Sequence, residues 1–331
     1  MKILIVKLSS LGDVVHTMPA VQDIRAAMPE AQVDWVVERA FAPLVQRCDG
    51  VHRVIACELR RWTRSPLDSQ TRAQWRAFRN ELRAQAYDAV IDAQGLTKSA
   101  LVARVAQLAG GGKRFALANR TEGSSYEAPT RWLADVAVRI EPHVHAVARS
   151  RVLCAQALGY PVSPNLRYGL RAGAGVEPAQ ARKPVALVHG TSRDDKCWPE
   201  SHWVELGQRL VDAGFMPVLP HGNDAEQARA GRIAAALGGS AEVWPRVDLG
   251  ALADRLATCA GVIGVDSGLS HVAVALDLPH VQVYNFDTAW RTGPVDGVSA
   301  PVAGRQRSLF AQPAPSVDAV WQAWSEVSAA A

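Results

Sequence analysis

The stretch Ile3-Leu4-Ile5-Val6-Lys7-Leu8-Ser9-Ser10-Leu11-Gly12-Asp13-Val14-Val15-His16 decides the fold. An apolar run of strand length, followed by small residues and a glycine, reads as a buried parallel strand. A carboxylate then stands where a helix should begin. Strand, tight loop and helix N-terminus are the parts from which open α/β sheets build a site at the carboxyl ends of their strands. Backbone amides and the helix dipole favour an anionic group there. Asp13 is therefore either placed for chemistry or only a cap of the helix. The stretch alone leaves both open.

Outward from it, apolar runs alternate with helical patterns. Strands are expected at 3–8, 33–37, 51–56, 87–92 and 114–118, with helices near 17–28, 71–86, 96–109 and 144–158. Such alternation implies βαβ units and a parallel sheet. Residues 160–184 are rich in breakers, among them Pro161, Pro164, Gly169, Gly175, Pro178 and Pro184, and read as a link between domains. A second alternation follows, with strands expected at 185–189, 215–219, 241–244, 261–265 and 280–284. Its helices are expected at 201–213, 223–237, 248–258, 269–276 and 316–329. The reading is an α/β chain of two Rossmann-like lobes, 1–160 and 185–315, joined by a linker at 161–184, with a terminal segment 316–331. Two such lobes would leave a cleft between them.

A length of 331 residues suits two domains. Five scattered cysteines, an odd number with no CxxC pair, suit a reducing compartment and argue against a disulfide framework or zinc ribbon. Lys7 cuts the N-terminal apolar run, so no signal peptide is expected, and no window approaches a membrane span. The net charge of +4 hides an asymmetry: residues 1–160 carry 22 Lys and Arg against 15 Asp and Glu. A basic first lobe suggests an anionic partner; no nucleic acid is expected.

The second half holds Gly264-Val265-Asp266-Ser267-Gly268-Leu269-Ser270-His271. A strand ends at Val265 and a helix starts near Leu269, where free amides can hold a phosphate; the alternative is that Asp266 and Ser267 merely cap that helix. His189-Gly190-Thr191-Ser192-Arg193-Asp194-Asp195-Lys196 follows the first strand of this lobe. Thr191 and Ser192 can donate to phosphate oxygens, and Lys196 can act as a point charge on a diphosphate. Asp194 and Asp195 read as loop or cap residues. A third strand-end loop carries Gly222, Asn223 and Glu226. There is no P-loop, no GxGxxG after a strand and no DxD triplet for a metal–diphosphate bridge. His143 and His145 are a weak metal pair at best, so no metal site is expected. In the first lobe Arg60 and Arg61 read as loop residues with a functional role. Arg72, Arg76, Arg79 and Arg83 share a helix face. Lys98 sits in a first helical turn, where a cation is unfavourable, which hints at an anion beside it.

With these pieces in order, the chain resembles the lipopolysaccharide heptosyltransferases. The resemblance rests on KLSSLGDVVHTMPA (7–20), DWVVE (34–38), RRW (60–62), YDAVIDAQGL with Lys98-Ser99 (87–99), TSRDDKCWPESHW (191–203) and VDSGLSHVAVALD (265–277). The DAQGL block is similar to the type I branch. The resemblance implies the GT-B architecture, with acceptor on the first lobe and nucleotide sugar on the second. It also implies that the terminal helix 316–329 returns to the first lobe. The implied reaction is inverting transfer from ADP-L-glycero-β-D-manno-heptose to the first Kdo of Kdo-lipid A, with no cofactor. In that frame Asp13 matches the general base and Lys196 the group that stabilises the departing diphosphate. Thr191, Ser192, Lys196, Glu226, Asp266, Ser267, Gly268 and His271 would hold the donor. Ser10, Gly12, Arg60, Arg61, Lys98 and Arg120 would face the acceptor. Such an acceptor implies a cytoplasmic protein, peripheral on the cytoplasmic face of the inner membrane. One departure is visible: after Tyr284 the family's usual Gly-Pro-Thr is replaced by Asn285-Phe286-Asp287-Thr288. The competing readings are a nucleotide-sugar 2-epimerase, which needs no acceptor, a related transferase using another ADP- or UDP-sugar, and a two-lobed binding protein. A nicotinamide oxidoreductase is disfavoured by the missing glycine fingerprint.

Overall fold

The computed structural model describes residues 1–173, 183–296, 300–301 and 304–330, in two compact units, Met1–Leu170 and Arg171–Ala331. The division falls inside the expected linker. Residues up to 170 belong with the first unit: the Asp49 amide donates to the Gly169 carbonyl, and Cys48 bridges to Leu170. Residues 174–182, with Gly175 and Pro178, lie outside the described residues.

The first unit runs β1 (Lys2–Val6), α1 (Leu11–Ala27), β2 (Gln32–Glu38), α2 (Ala42–Val45), β3 (Val51–Cys57), α3 (Leu59–Trp62), α4 (Ser69–Leu82), β4 (Ala86–Asp92), α5 (Thr97–Val105), β5 (Gln107–Leu117), α6 (Pro129–Leu133), β6 (Val136–Val138) and α7 (Ala146–Leu158). Its sheet is parallel with order β3-β2-β1-β4-β5-β6. Strand alternation splits the apolar run of β1 between two layers. Leu4 and Val6 join Trp62 of α3, Phe78 and Leu82 of α4 and Val102 and Ala103 of α5 in one buried cluster. Ile3 and Ile5, equally buried, turn to the other face, where α1 and α7 pack together. Arg151 of α7 is fully buried and holds Asp23 of α1 through two hydrogen bonds, at 2.7 and 2.9 Å, which satisfy both charges. Helix α1 begins at Leu11, six residues before the expected start at 17, because Ser10 and Asp13 form a capping box that makes the loop residues helical.

The second unit runs β7 (Pro184–Val188), α8 (Glu200–Asp212), β8 (Met216–Leu219), α9 (Asp224–Ala236), β9 (Glu242–Val243), α10 (Leu249–Ala257), β10 (Gly261–Val265), α11 (Gly268–Ala275), β11 (His280–Tyr284), α12 (Ala289–Thr292), the short pair β12 (Val295–Asp296) and β13 (Ala300–Pro301), β14 (Gln306–Phe310) and α13 (Val317–Ala329). The main sheet is parallel, ordered β14-β11-β10-β7-β8-β9. The stripe Val317, Val320, Ala323, Trp324 and Val327 of the terminal helix is buried in the second unit's own core with Trp198, Trp203 and Val281. The reason is steric fit. Gly261 has no side chain, and a Cβ there would meet the Pro279 carbonyl at 2.5 Å and the Trp324 ring at 2.7 Å. The strands β6 and β14 escape sequence reading. One is three residues long, and the other, QRSLF, lies at a sheet edge with its side chains largely exposed.

Candidate active site

In each unit the strand order reverses beside the first strand, and loops at the carboxyl ends of two neighbouring strands meet there. In the first unit these strands are β1 and β4. Gln94, after β4, accepts the Leu8 and Ser9 amides on its Oε1 at 3.0 and 3.1 Å. Lys7 Nζ donates to the Ala93 carbonyl at 3.1 Å. Asp92 accepts from the Gln94 and Gly95 amides and from Ser99 Oγ. Burial pushes the Asp92 carboxyl up to about 6 despite these donors.

On this platform Asp13 stands in the first turn of α1. Its Oδ2 accepts from Ser10 Oγ at 3.0 Å and from the Ser10 amide at 3.3 Å. Its Oδ1 faces Arg149 Nη2 at 3.1 Å and Lys7 Nζ at 3.4 Å. Burial alone would raise the Asp13 carboxyl, but the charges of Lys7 and Arg149 more than offset it and hold it well below the usual carboxylate range. The two cations are almost wholly buried, whereas the Asp13 side chain keeps 33% of its surface exposed. Asp13 therefore caps α1 and also keeps a carboxylate edge open to solvent. Arg149 and Lys7 were not singled out from sequence as site residues. Lys7 left a signal, a lysine in a buried strand-end position; Arg149 lies mid-helix 136 residues away and left none.

The cations expected to face the acceptor are exposed at strand ends of the same unit. Arg60 and Arg61 lie in the short helix α3, not in a loop, and Arg61 reaches Glu58 at 3.3 Å. Arg120 donates to the Ser124 carbonyl at 3.2 Å. Gly12 is in the first turn of α1 beside Ser10. The anion inferred near Lys98 is the protein's own. The Glu127 carboxylate accepts the Thr97 amide at 2.8 Å at the start of α5; that hydrogen bond lowers its pKa, and the Lys98 charge adds to the effect.

In the second unit the corresponding strands are β7 and β10. Thr191 Oγ1 donates to the Asp266 carbonyl at 3.2 Å, and Lys196 Nζ pairs with Asp266 Oδ2. His271 Nε2 is 3.6 Å from Asp266 Oδ1, and Thr292 Oγ1 donates to the same oxygen at 3.3 Å. Burial would raise the Asp266 carboxyl, but His271 and Lys196 hold it well below the usual range. The carboxylate is thus committed to side chains and does not cap α11. Ser267 sits at the N-cap position, where its carbonyl accepts the His271 amide at 3.3 Å, but its side chain makes no cap hydrogen bond and its buried Oγ has no partner. The first amides of α11 are left without a side-chain cap, beside a lysine and a histidine. Gly264 permits the close packing behind them, since a Cβ there would meet Ser270 Oγ at 2.5 Å and Val188 Cβ at 2.8 Å. Ser192 is exposed in the β7 loop. Glu226 Oε2 accepts the Gly222 amide at 2.6 Å, and its first helical turn borders a surface recess lined by His221, Asp224, Gln227, Trp244 and Arg246.

The family model of glycosyltransferase family 9 (heptosyltransferase) matches residues 75–310. The lipopolysaccharide heptosyltransferase 1 of Pseudomonas aeruginosa is 40% identical over 88% of this chain and 81% of its own length. The chain belongs to glycosyltransferase family 9. It is thus a glycosyltransferase, and its structure agrees. The Escherichia coli heptosyltransferase WaaC with ADP is 35% identical, superposes with a TM-score of 0.85, and is matched over 99% of this chain and 100% of that one. WaaC with ADP-2-deoxy-2-fluoro heptose is 36% identical with a TM-score of 0.80, matched over 97% and 98%.

Within this family frame the departing loop after β11 is anchored. Asn285 Nδ2 donates to the Asp195 and Cys197 carbonyls at 3.2 and 2.9 Å, and the Arg193 guanidinium lies 5.6 Å over the Phe286 ring. The loop therefore braces the segment that carries Lys196, a role that sequence reading did not assign. Asp194 and Asp195 open a single 3-10 turn. His145 accepts the Val147 amide at the start of α7, and His143 faces Glu122. Among the described residues no group of three or more His, Cys, Asp or Glu could hold a metal ion. The five cysteines are free.

Proposed function

We propose that this transferase moves L-glycero-D-manno-heptose from ADP-L-glycero-β-D-manno-heptose to the first Kdo of Kdo-lipid A, with inversion and without a metal or other cofactor. The observation that carries this reading is the α11 start: uncapped amides and an unpartnered Ser267 hydroxyl, flanked by Lys196 and His271. It is a site for a diphosphate, and the matched WaaC structures carry ADP and an ADP-heptose analogue. Lys196 and the amides stabilise the charge that grows on the departing ADP. Thr191 and Ser192 add donors, and Glu226 with the neighbouring recess receives the nucleoside. Asp13, ionised at rest, takes the acceptor hydroxyl proton as the new bond forms, in an oxocarbenium-like transition state. Its lowered basicity suits a concerted transfer, in which the hydroxyl becomes acidic only as it bonds to carbon. Ser10, Gly12, Arg60, Arg61, Lys98 and Arg120 face the acceptor's carboxylates and phosphates.

An amphiphilic acceptor places the enzyme on a membrane surface, and we assign it to the cytoplasmic face of the inner membrane. No described helix is long and apolar enough to cross a membrane, and Arg72, Arg76 and Arg79 of α4, with Arg83 just after it, are exposed. The test is a donor panel with purified protein and Kdo-lipid A, read by mass spectrometry with and without EDTA. One added heptose, from the ADP-sugar and only with acceptor present, is the expected outcome. Donor turnover without acceptor supports the epimerase reading instead. Activity lost in EDTA and restored by Mg²⁺ overturns the metal-free mechanism.

A further inference from the structure

Helices α3, α4 and α5 form one layer over the first sheet, and α6 lies beside α5. Of the five large apolar side chains exposed among the described residues, three are on this layer. Leu67 precedes α4 and is 84% exposed, Leu101 of α5 is 54% exposed, and Trp132 of α6 is 69% exposed. Single exposed leucines are ordinary; a tryptophan left this open with a guanidinium over its ring is not. The Arg131 guanidinium lies 5.2 Å over the Trp132 ring. Lys98, Leu101 and Arg104 recur at three-residue spacing and share one exposed face of α5. Neither these cations nor Arg72, Arg76, Arg79 and Arg83 along and just after α4 enter an ion pair among the described residues. Most carboxylates of the layer are already committed: Asp68 to the Thr71 amide, Glu127 to the Thr97 amide, Asp135 to Arg114 and Glu58 to Arg61. Glu81 is the remaining one.

We infer that the exposed α5–α6 surface seats in an anionic bilayer, Trp132 and Leu101 at headgroup depth with Arg104 and Arg131 on lipid phosphates. This rests on the amphiphilic acceptor proposed above. Tryptophan prefers such an interface, because its ring is apolar and its N–H wants a polar partner. Cations around apolar side chains match anionic headgroups. A second copy of this chain is a poor occupant, since a two-fold interface would set these unpaired cations against themselves. The α4 arginines add attraction over a longer range. The α5 stripe places Lys98, assigned to the acceptor's charged sugars, one helical turn from Leu101, so an acceptor held in the bilayer presents its headgroup where the enzyme meets lipid.

The test uses the full chain and vesicles of phosphatidylglycerol and phosphatidylethanolamine with brominated acyl chains, which quench tryptophan at the interface. Wild-type emission is expected to be quenched, and Trp132→Phe to lose that quenching while still binding. Leu101→Ser with Trp132→Ser should weaken partitioning by about tenfold yet leave turnover on a delipidated, water-soluble acceptor unchanged. Quenching that persists in Trp132→Phe overturns the inference. So does undiminished partitioning of the serine double variant, or a wild-type dimer that the double variant abolishes with no change in vesicle binding. Loss of all heptosyl transfer on the soluble acceptor would instead overturn the assigned reaction, and quenching is read without turnover, so the two failures are separate.

Discussion

The two switch points share a topology and differ in what fills the helix starts around them. In the first unit the protein fills them itself: Asp13 closes a capping box at α1, and Glu127 with Ser99 occupies the start of α5. In the second, α11 holds the place equivalent to α5, and no side chain caps it, because Asp266 is turned onto Lys196 and His271. A self-capped helix start offers a fixed carboxylate; an open one offers amides to an incoming anion. One architecture thus leaves a cation-paired carboxylate at one helix start and open amides at the other, the pair to which the proposed function gives the roles of base and phosphate seat. The choice depends on whether the carboxylate near the helix start binds amides or cations.

Removing the carboxylate from the self-capped end gives the largest expected effect. Asp13→Asn should cost ~10²–10⁴ in kcat while ADP-heptose affinity stays within a few-fold, measured by steady-state kinetics and calorimetry. A folded variant with near-normal turnover would break the comparison at its first half. Lys196→Ala should act on the other half, weakening donor binding and lowering kcat by roughly 10²-fold. If only donor affinity falls, Lys196 serves the ground state and not the leaving group.

Arg149→Met sharpens the account of Asp13. Arg149 helps hold that carboxyl below its ordinary range, so its loss should move the acidic limb of the kcat/KM profile upward by about one pH unit. An unmoved limb would mean that Arg149 only packs α7 against α1.

The smallest effect concerns stability, where neighbouring carboxylates carry opposite signs. The folded pKa of Asp13 is depressed, so its contribution is present above the unfolded value and lost as pH falls through the folded one. Asp92 is raised to about 6, so ionising it in the folded state carries a cost. Its effect favours folding below the unfolded value of about 3.9 and fades as pH rises towards 6. Asp92→Asn can still accept the Gln94 and Gly95 amides. Urea unfolding should therefore show wild type losing a component of about 2 kcal/mol between pH 4 and pH 6 that the variant lacks. Parallel pH profiles for the two proteins would refute this.

Element order was legible because it is local. Runs such as Val185–Val188 and Gly261–Val265 are wholly apolar and bounded by breakers, and each emerged as a buried strand within a residue of its expected limits. Residues Asp13, Lys196, Thr191 and Asp266 were legible as candidates because each follows such a strand, where α/β sheets place their sites. Less was legible where a short element has little pattern, as in α3, or where its partner decides, as in α13. An amphipathic stripe says that a helix must cover a core, but not which core. Gly261, 63 residues before Trp324, settles that in space.

The sequence by itself determined the alternation of strands and helices, the family motifs and the residue types at each strand end. All of these rest on neighbours in the chain, whose periodicity and turn chemistry act over a few residues. Only the tertiary structure decided the ionisation and aim of those residues. Arg149 reaches Asp13 from 136 positions away, Glu127 supplies the anion beside Lys98, and Asp266 lies between Lys196 and His271 instead of on its own helix. The reason is that charge interacts through space and is governed by burial. Folding alone brings Arg149 to within 4 Å of Asp13, and Lys196 and His271 to within 4 Å of Asp266.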